Sequence, residues 1–212
     1  MNILELFAGS RSIGKAAETL GHNVFSVDWK PFDGVNLSKD IGELKMSDVP
    51  FIPDIVWASP DCTTYSIAAC STHREETTLP KTEYAKQCDA INRHWIGLLK
   101  DWQEINPNLK FYIENPRGMF RHMDFVKDFE RVTVWYCQYG DERAKPTDIF
   151  TNNLRGLFNQ NGWNPKPECF NGNKNCHHEE APRGSRTGTQ GRKGSYERSK
   201  IPEKLCFEVL MS

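Results

Sequence analysis

The chain has 212 residues, 38% of them hydrophobic and 11% aromatic, which places it among globular rather than disordered sequences. Its 27 Lys and Arg against 28 Asp and Glu leave a net charge of -1, which on its face argues against a polyanionic partner. No apolar run approaches the ~18 residues of a membrane span, no signal peptide opens the chain, and seven cysteines without small-scaffold spacing argue for a reducing, cytoplasmic setting over a disulfide framework.

Residues 2–6 read as a buried strand, 11–20 as a helix and 23–27 as a second strand. A third strand over 54–58 ends in the turn-like Ser59-Pro60-Asp61. The longest helix is predicted over 81–105. There Tyr84, Cys88, Ile91, Trp95, Leu98, Trp102 and Ile105 recur every three or four residues, the spacing of one helical face. A strand over 110–113 ends at Glu114-Asn115-Pro116, and 131–137 with 147–151 form a late pair. This alternation predicts an α/β fold with a mostly parallel sheet covered on both faces. Composition shifts near residue 152 toward Asn, Gly and Pro, with a Cys/His cluster at 169–178. Residues 181–204 hold seven Lys and Arg against two Glu, so the near-zero total sums an acidic body and a basic segment. An amphipathic helix over 201–210 closes the pattern.

Four strand ends carry chemistry. Phe7-Ala8-Gly9-Ser10 follows the first strand, at the edge where open α/β sheets bind ligands, and Gly9 lets the backbone approach closely. Asp28-Trp29 follows the second: an acid placed for ribose hydroxyls and an indole placed to stack on a purine, with Asp40-Ile41 completing an adenine pocket. These residues suit an adenosine-bearing cofactor. Cys62 follows the third strand as a candidate nucleophile, a buried structural thiol being the alternative. Glu114 ends another strand, where it is either structural or, once desolvated, able to hold a proton and bond a base edge. Arg143 and Lys145 lie two apart on an extended run and face the same way.

Cys169-x6-Cys176-His177-His178 has ligand types that suit zinc in a loop too poor in apolar residues to make its own core. The predicted set is Cys137, Cys169, Cys176 and His177, with Cys206 a second choice for the distant cysteine. In the basic segment Arg183, Arg186, Thr187, Thr189, Gln190 and Arg192 offer phosphate and base-edge contacts.

The order of these motifs resembles the cytosine-C5 DNA methyltransferase family: Phe-Ala-Gly, Asp-Trp, Pro-x-Cys, Glu-Asn-Pro, then Tyr-Gly with spaced basic residues. The resemblance covers roughly residues 1–151, with a fainter match at 195–210. It implies a Rossmann-like methyltransferase fold and S-adenosylmethionine as cofactor, held by Phe7, Ala8, Gly9, Ser10, Asp28, Trp29, Asp40, Ile41 and Pro60. It implies Cys62, Glu114 and Arg143 as catalytic residues, and DNA as partner, with Ser66 and Lys145 beside it. No membrane and no obligatory protein partner follow. The implied division is a catalytic and cofactor-binding part over 1–151, a small target-recognition region over 152–195, and a C-terminal helix over 196–212 that returns to the first part. Departures are Asp61 before the nucleophile, where a carboxylate raises a thiol pKa unless it points away, and the loss of later glycines after Gly9. Arg198 replaces an Asn near the transferable methyl, which opens carboxy-S-adenosylmethionine as an alternative donor. The same motifs also suit an RNA cytosine methyltransferase, or a DNA-binding homologue that has lost catalysis.

Overall fold

Period-two alternation of apolar side chains builds the centre of the sheet. Strand β1 (Asn2–Leu6) lies between β2 (Asn23–Asp28) and β4 (Ile55–Ala58), parallel to both. The short β3 (Leu37–Ser38) extends the sheet beyond β2, and β7 (Lys110–Pro116) extends it beyond β4, again in parallel. Beyond β7 come β9 (Pro146–Thr151) and the edge strand β8 (Arg131–Trp135), paired antiparallel. The seven-stranded order is therefore β3-β2-β1-β4-β7-β9-β8. A small antiparallel pair, β5 (Arg74–Glu75) and β6 (Leu79–Pro80), stands apart. This computed structural model describes residues 1–76, 78–180 and 194–212.

Each face of the sheet buries its own core. Leu4, Leu6, Val56 and Ala58 face α3 (Glu83–Ile105), while Ile3, Ile55, Trp57 and Tyr112 face α1 (Ser12–Thr19) and α5 (Glu203–Leu210). Thr82 caps α3, its hydroxyl accepting from the Ala85 amide at 3.2 Å. The buried face of α3 is rotated from the predicted stripe. Cys88, Trp95 and Trp102 are buried as expected, but Tyr84 and Ile105 are exposed, and Asp89 and Asn92 are buried instead. A hydrophobic period cannot register polar residues that are buried because they are paired.

The predicted strand over 131–137 stops at Trp135, and Tyr136–Tyr139 form a 3-10 turn closed by Gly140 at φ 91°. The last helix starts at Glu203, after Pro202, rather than at 201. Two short helices, α2 (Cys70–His73) and α4 (Ser195–Ser199), complete the elements. Among the described residues no helix is long and apolar enough to cross a membrane.

Strand direction decides what can reach the site. β1, β4 and β7 end along one edge, so the motifs after them converge there. β9 runs the opposite way, pairing Thr147 with Pro116 and Thr151 with Tyr112. Residues just after it therefore lie at the far end of the sheet: Asn152 bonds Phe111 and Leu109, and Trp163 bonds Glu208. Only from about residue 166, where the Lys166 amide donates to the Tyr139 hydroxyl at 3.0 Å, does the chain return toward the motif edge.

Candidate functional site

A cavity of about 620 Å³ opens at the ends of β1, β4 and β7. Phe7, Ala8 and Ser10 line it from the first loop, Pro60, Cys62 and Ser66 from the second. Glu114, Lys145 and Arg198 complete the predicted residues on its wall. Residues that no sequence motif marks also reach it, among them Glu5, Ile67 and Arg117.

Cys62 occupies the turn after β4, with its carbonyl accepting from the Tyr65 amide at 3.1 Å. Burial, and then the charge of Glu114, push its thiol up to about 11, while Lys145 opposes them. Asp61 raises it too, but as the lesser of the two carboxylates. The reason is where Asp61 points: one oxygen accepts from the Thr63 amide at 2.6 Å and the other from the Tyr84 hydroxyl at 2.6 Å. The unusual acid before Cys62 is thus a turn cap tied to α3.

Glu114 is 6% exposed, and its Oε1 accepts from the Tyr136 hydroxyl at 2.9 Å. Lys145 Nζ stands 3.6 Å from the same oxygen and 4.4 Å above the Tyr136 ring. Tyr136 carries no signal in the sequence: it falls within an apparent strand, and no motif points to it.

Arg143 and Lys145 both lie over the Tyr136 ring and both donate to the Arg198 carbonyl, but only one of them reaches the cavity. Arg143 is 1% exposed and absent from the cavity wall. Its guanidinium pairs with both carboxylate oxygens of Asp141 and donates to the carbonyls of Arg198 and Lys200 at 3.3 Å each. Lys145, at φ 20°, turns instead into the cavity. The two side chains thus approach a common ring and a common carbonyl, although the backbone at Lys145 is not extended. Lys145 is the cation beside Glu114, and Arg143 staples the segment before α5.

The first loop needs unusual backbone. Phe7, Gly9 and Arg11 all have positive φ, and a Cβ on Gly9 would meet Ser199 Oγ at 3.7 Å. Arg11 adopts the left-handed conformation that a glycine would take without strain. It is held there by Ser26 Oγ at 3.1 Å and by an ion pair with Glu18. Asp28 accepts from the amides of Gly9 at 3.0 Å and Lys30 at 2.9 Å, so it fixes the loop as well as the strand end. Trp29 beside it is 66% exposed, with one face of the indole taken by Lys30 Nζ, 4.4 Å from the ring centroid. Asp40 caps the turn of Ile41–Glu43, and Ile41 itself is buried in the core. Asp28, Trp29, Asp40 and Ile41 lie outside the cavity wall.

Glu5 is a buried acid within this site. It accepts from the Ile13 amide at 3.1 Å and the Ser26 hydroxyl at 2.8 Å, yet burial raises its pKa to about 7. A carboxylate raised in the folded state loses stability as pH climbs from its ordinary value through about 7. The loss at pH 8 is on the order of 3 kcal/mol. Urea unfolding of wild type from pH 5 to 8 should show this decline, and Glu5→Gln should flatten it. Equal slopes in the two proteins would reject it.

The described residues also hold one group able to bind a metal: Cys137, Cys169, Cys176 and His178. Cys137 is the distant cysteine predicted; Cys206 is buried in the core between α1 and α5. The histidine differs. His177 is exposed, with Nε2 3.1 Å from the Asp141 carbonyl, and His178 turns in. Arg183, Arg186, Thr187, Thr189, Gln190 and Arg192 lie outside the described residues.

Comparison with known proteins gives a relative along the whole chain. A "Probable DNA (cytosine-5)-methyltransferase" of Frog virus 3 (isolate Goorha) is 26% identical over 227 aligned positions, covering 99% of each chain. Among solved structures, Entamoeba histolytica methyltransferase EhMeth superposes with a TM-score of 0.55 at 14% identity, covering 80% of this chain and 57% of that one. The S. pombe Dnmt2 methyltransferase gives 0.50 at 14% identity, covering 78% and 57%. The chain thus spans little more than half the length of these two, and their likeness carries the fold. No family model matches. The resemblance to cytosine-C5 methyltransferases, read from motifs over residues 1–151, extends along the full sequence.

Proposed function

We propose that this chain is a cytosine-C5 methyltransferase that uses S-adenosylmethionine and acts on DNA. The carrying observation is the convergence of Cys62, Glu114 and Lys145 on one cavity, next to the loop of Phe7 and Ala8. The residues present fit the cofactor. Phe7, Ala8 and Pro60 give an apolar wall, Ser10 and Ser12 give hydroxyls, and the open face of Trp29 suits a purine. S-adenosylmethionine supplies an electrophilic methyl group.

The chain's residues supply the rest. C5 of cytosine is a poor nucleophile until Cys62 Sγ bonds to C6, which makes C5 enamine-like. Glu114, held by Tyr136, takes the 4-amino group and the N3 edge, where a proton must be gained to balance the negative charge that addition of the thiolate puts on the ring. Lys145, 3.6 Å from the same Glu114 oxygen, is assigned to favouring the thiolate. Once C5 carries the methyl group it gives its proton to solvent, the C5–H pair becomes the C5–C6 double bond, Sγ leaves C6 with the bonding pair, and N3 gives back its proton. The base must leave the duplex to enter such a cavity. Arg143 serves this reaction by holding the 198–200 segment against the first loop, where the Ile201 amide donates to Ser12 Oγ at 3.2 Å.

Target reading falls to residues from about 166 to 195, since 152–163 lie at the other end of the sheet. Ser66, on the cavity wall, and the basic segment are assigned to DNA, and a cytoplasmic site of action suits the free thiols. Arg198 on the cavity wall favours a second donor reading, carboxymethyl transfer from carboxy-S-adenosylmethionine.

The deciding experiment incubates the protein with both donors and with duplex DNA, single strands or RNA, then digests the product for nucleoside mass spectrometry. Methyl at cytosine C5 in DNA is the expected product. Carboxymethylcytosine would move the donor assignment, and modified RNA alone would move the substrate. Cofactor and DNA binding without any modified nucleoside would mark an inactive homologue.

A further inference from the structure

We propose that Cys137, Cys169, Cys176 and His178 bind one zinc ion in a closed structural site that ties the returning segment to the turn carrying Arg143. The four ligand atoms lie within 4.8 Å of one another, and Cys169 Sγ is 3.8 Å from His178 Nδ1. A tetrahedral zinc with about 2.3 Å to sulfur and 2.0 Å to nitrogen places neighbouring ligands about 3.5–4 Å apart. The set needs only a small contraction to match. Cys137 comes from the turn after β8, and the other three span ten residues from 169 to 178. That convergence of a distant cysteine on a local trio is what a four-ligand site requires.

The environment is built for thiolates. Cys137, Cys169 and His178 are buried, and none of the cysteines is in a disulfide. Side-chain amides point N–H groups at the sulfurs: Gln138 Nε2 is 3.9 Å from Cys137 Sγ and 3.8 Å from Cys176 Sγ, and Asn173 Nδ2 is 3.4 Å from Cys169 Sγ. Such outer donors offset negative charge on metal-bound sulfur. The segment has little else to hold it. Residues 164–180 contain no helix or strand, and their apolar contacts reduce to Trp135, Ala144 and the cysteines themselves.

The ion's mechanical role follows from the residues flanking His178. His177 Nε2 meets the Asp141 carbonyl, and the Glu179 amide donates to the Glu142 carbonyl at 2.9 Å. Asp141 in turn fixes the Arg143 guanidinium, which holds the 198–200 segment. None of the four ligands lines the cavity of Cys62, so the ion stands outside the transfer chemistry. The proposal stands on this cluster alone and does not depend on which reaction the cavity performs.

The test uses the full chain purified without chelator. Elemental analysis should give about one equivalent of zinc. Replacement by cobalt should give the visible bands of a tetrahedral thiolate site. Cys169→Ser and His178→Ala should lose the metal, whereas His177→Ala should keep it. Chelation should speed proteolytic cleavage within 164–180 several-fold. Less than about half an equivalent in wild type, or a disulfide between two of these cysteines in fresh protein, would overturn the site. So would metal lost with His177→Ala and kept with His178→Ala. If Cys169→Ser does not fold, the wild-type zinc content and cobalt spectrum decide alone.

Discussion

Cys62→Ala should abolish methyl transfer, by about 10⁴-fold or more, while leaving the affinity for S-adenosylmethionine within about twofold. The split arises because the thiol follows β4, whereas the residues proposed to hold the cofactor follow β1 and β2. Calorimetric titration of the donor and nucleoside mass spectrometry of the product measure the two halves separately. The wild-type protein should also form a lasting adduct with DNA carrying 5-fluorocytosine. Fluorine in place of the C5 proton blocks the final elimination, and the alanine variant has no sulfur to bond. A second expectation concerns the resting thiol. Burial and Glu114 hold Cys62 near 11, so in the free protein it should alkylate slowly at neutral pH and faster as pH rises. A cationic donor bound in the cavity would act with Lys145 to favour the thiolate. An alanine variant with full transfer activity would remove Cys62 from the mechanism.

Strand ends were legible because they depend on short-range pattern. β1 and β4 follow apolar runs and their motifs begin where the strands stop, whereas β2 takes in Asp28 and β7 runs on through Glu114-Asn115-Pro116. The relative positions of Phe7, Cys62 and Glu114 followed from that, since parallel strands bring such ends together. Partner choice was less legible. Arg143 and Lys145 look equivalent two residues apart and do share the Tyr136 ring and the Arg198 carbonyl, yet only Lys145 lines the cavity while Arg143 is taken up by Asp141. His177 and His178 present the same problem. Residue type names the candidate ligands, but the backbone decides which side chain turns in. Charge counting also misled in one direction. Glu5 and Asp89 count toward the acidic body, yet both are buried.

Arg74→Met should cost about 3–5 kcal/mol of stability, the loss typical of leaving a buried charge without its partner. The Arg74 side chain is fully buried and Asp89 nearly so, with Nη2 to Oδ1 at 2.7 Å and Nη1 to Oδ2 at 3.1 Å. The guanidinium also donates to the Thr64 carbonyl at 2.9 Å and to its hydroxyl at 3.0 Å. Asp89 further accepts from the Tyr65 hydroxyl at 2.7 Å, and Asn92 donates to that hydroxyl at 2.9 Å. The network therefore fastens Thr64 and Tyr65, which closely follow Cys62, to α3. Removing the arginine leaves Asp89 charged and buried, so its pKa must rise and the deficit must grow as pH rises through the new value. Arg74→Met with Asp89→Asn removes that charge while keeping an acceptor for Tyr65, and should recover part of the stability. Urea unfolding of the three proteins at pH 5 and pH 8 checks both statements. A cost below about 1 kcal/mol, as for an exposed pair, would mean the network does not anchor the loop. Thiol alkylation gives the functional side of the same test. A loosened turn exposes Cys62, so iodoacetamide should react faster with Arg74→Met than with wild type while both remain folded.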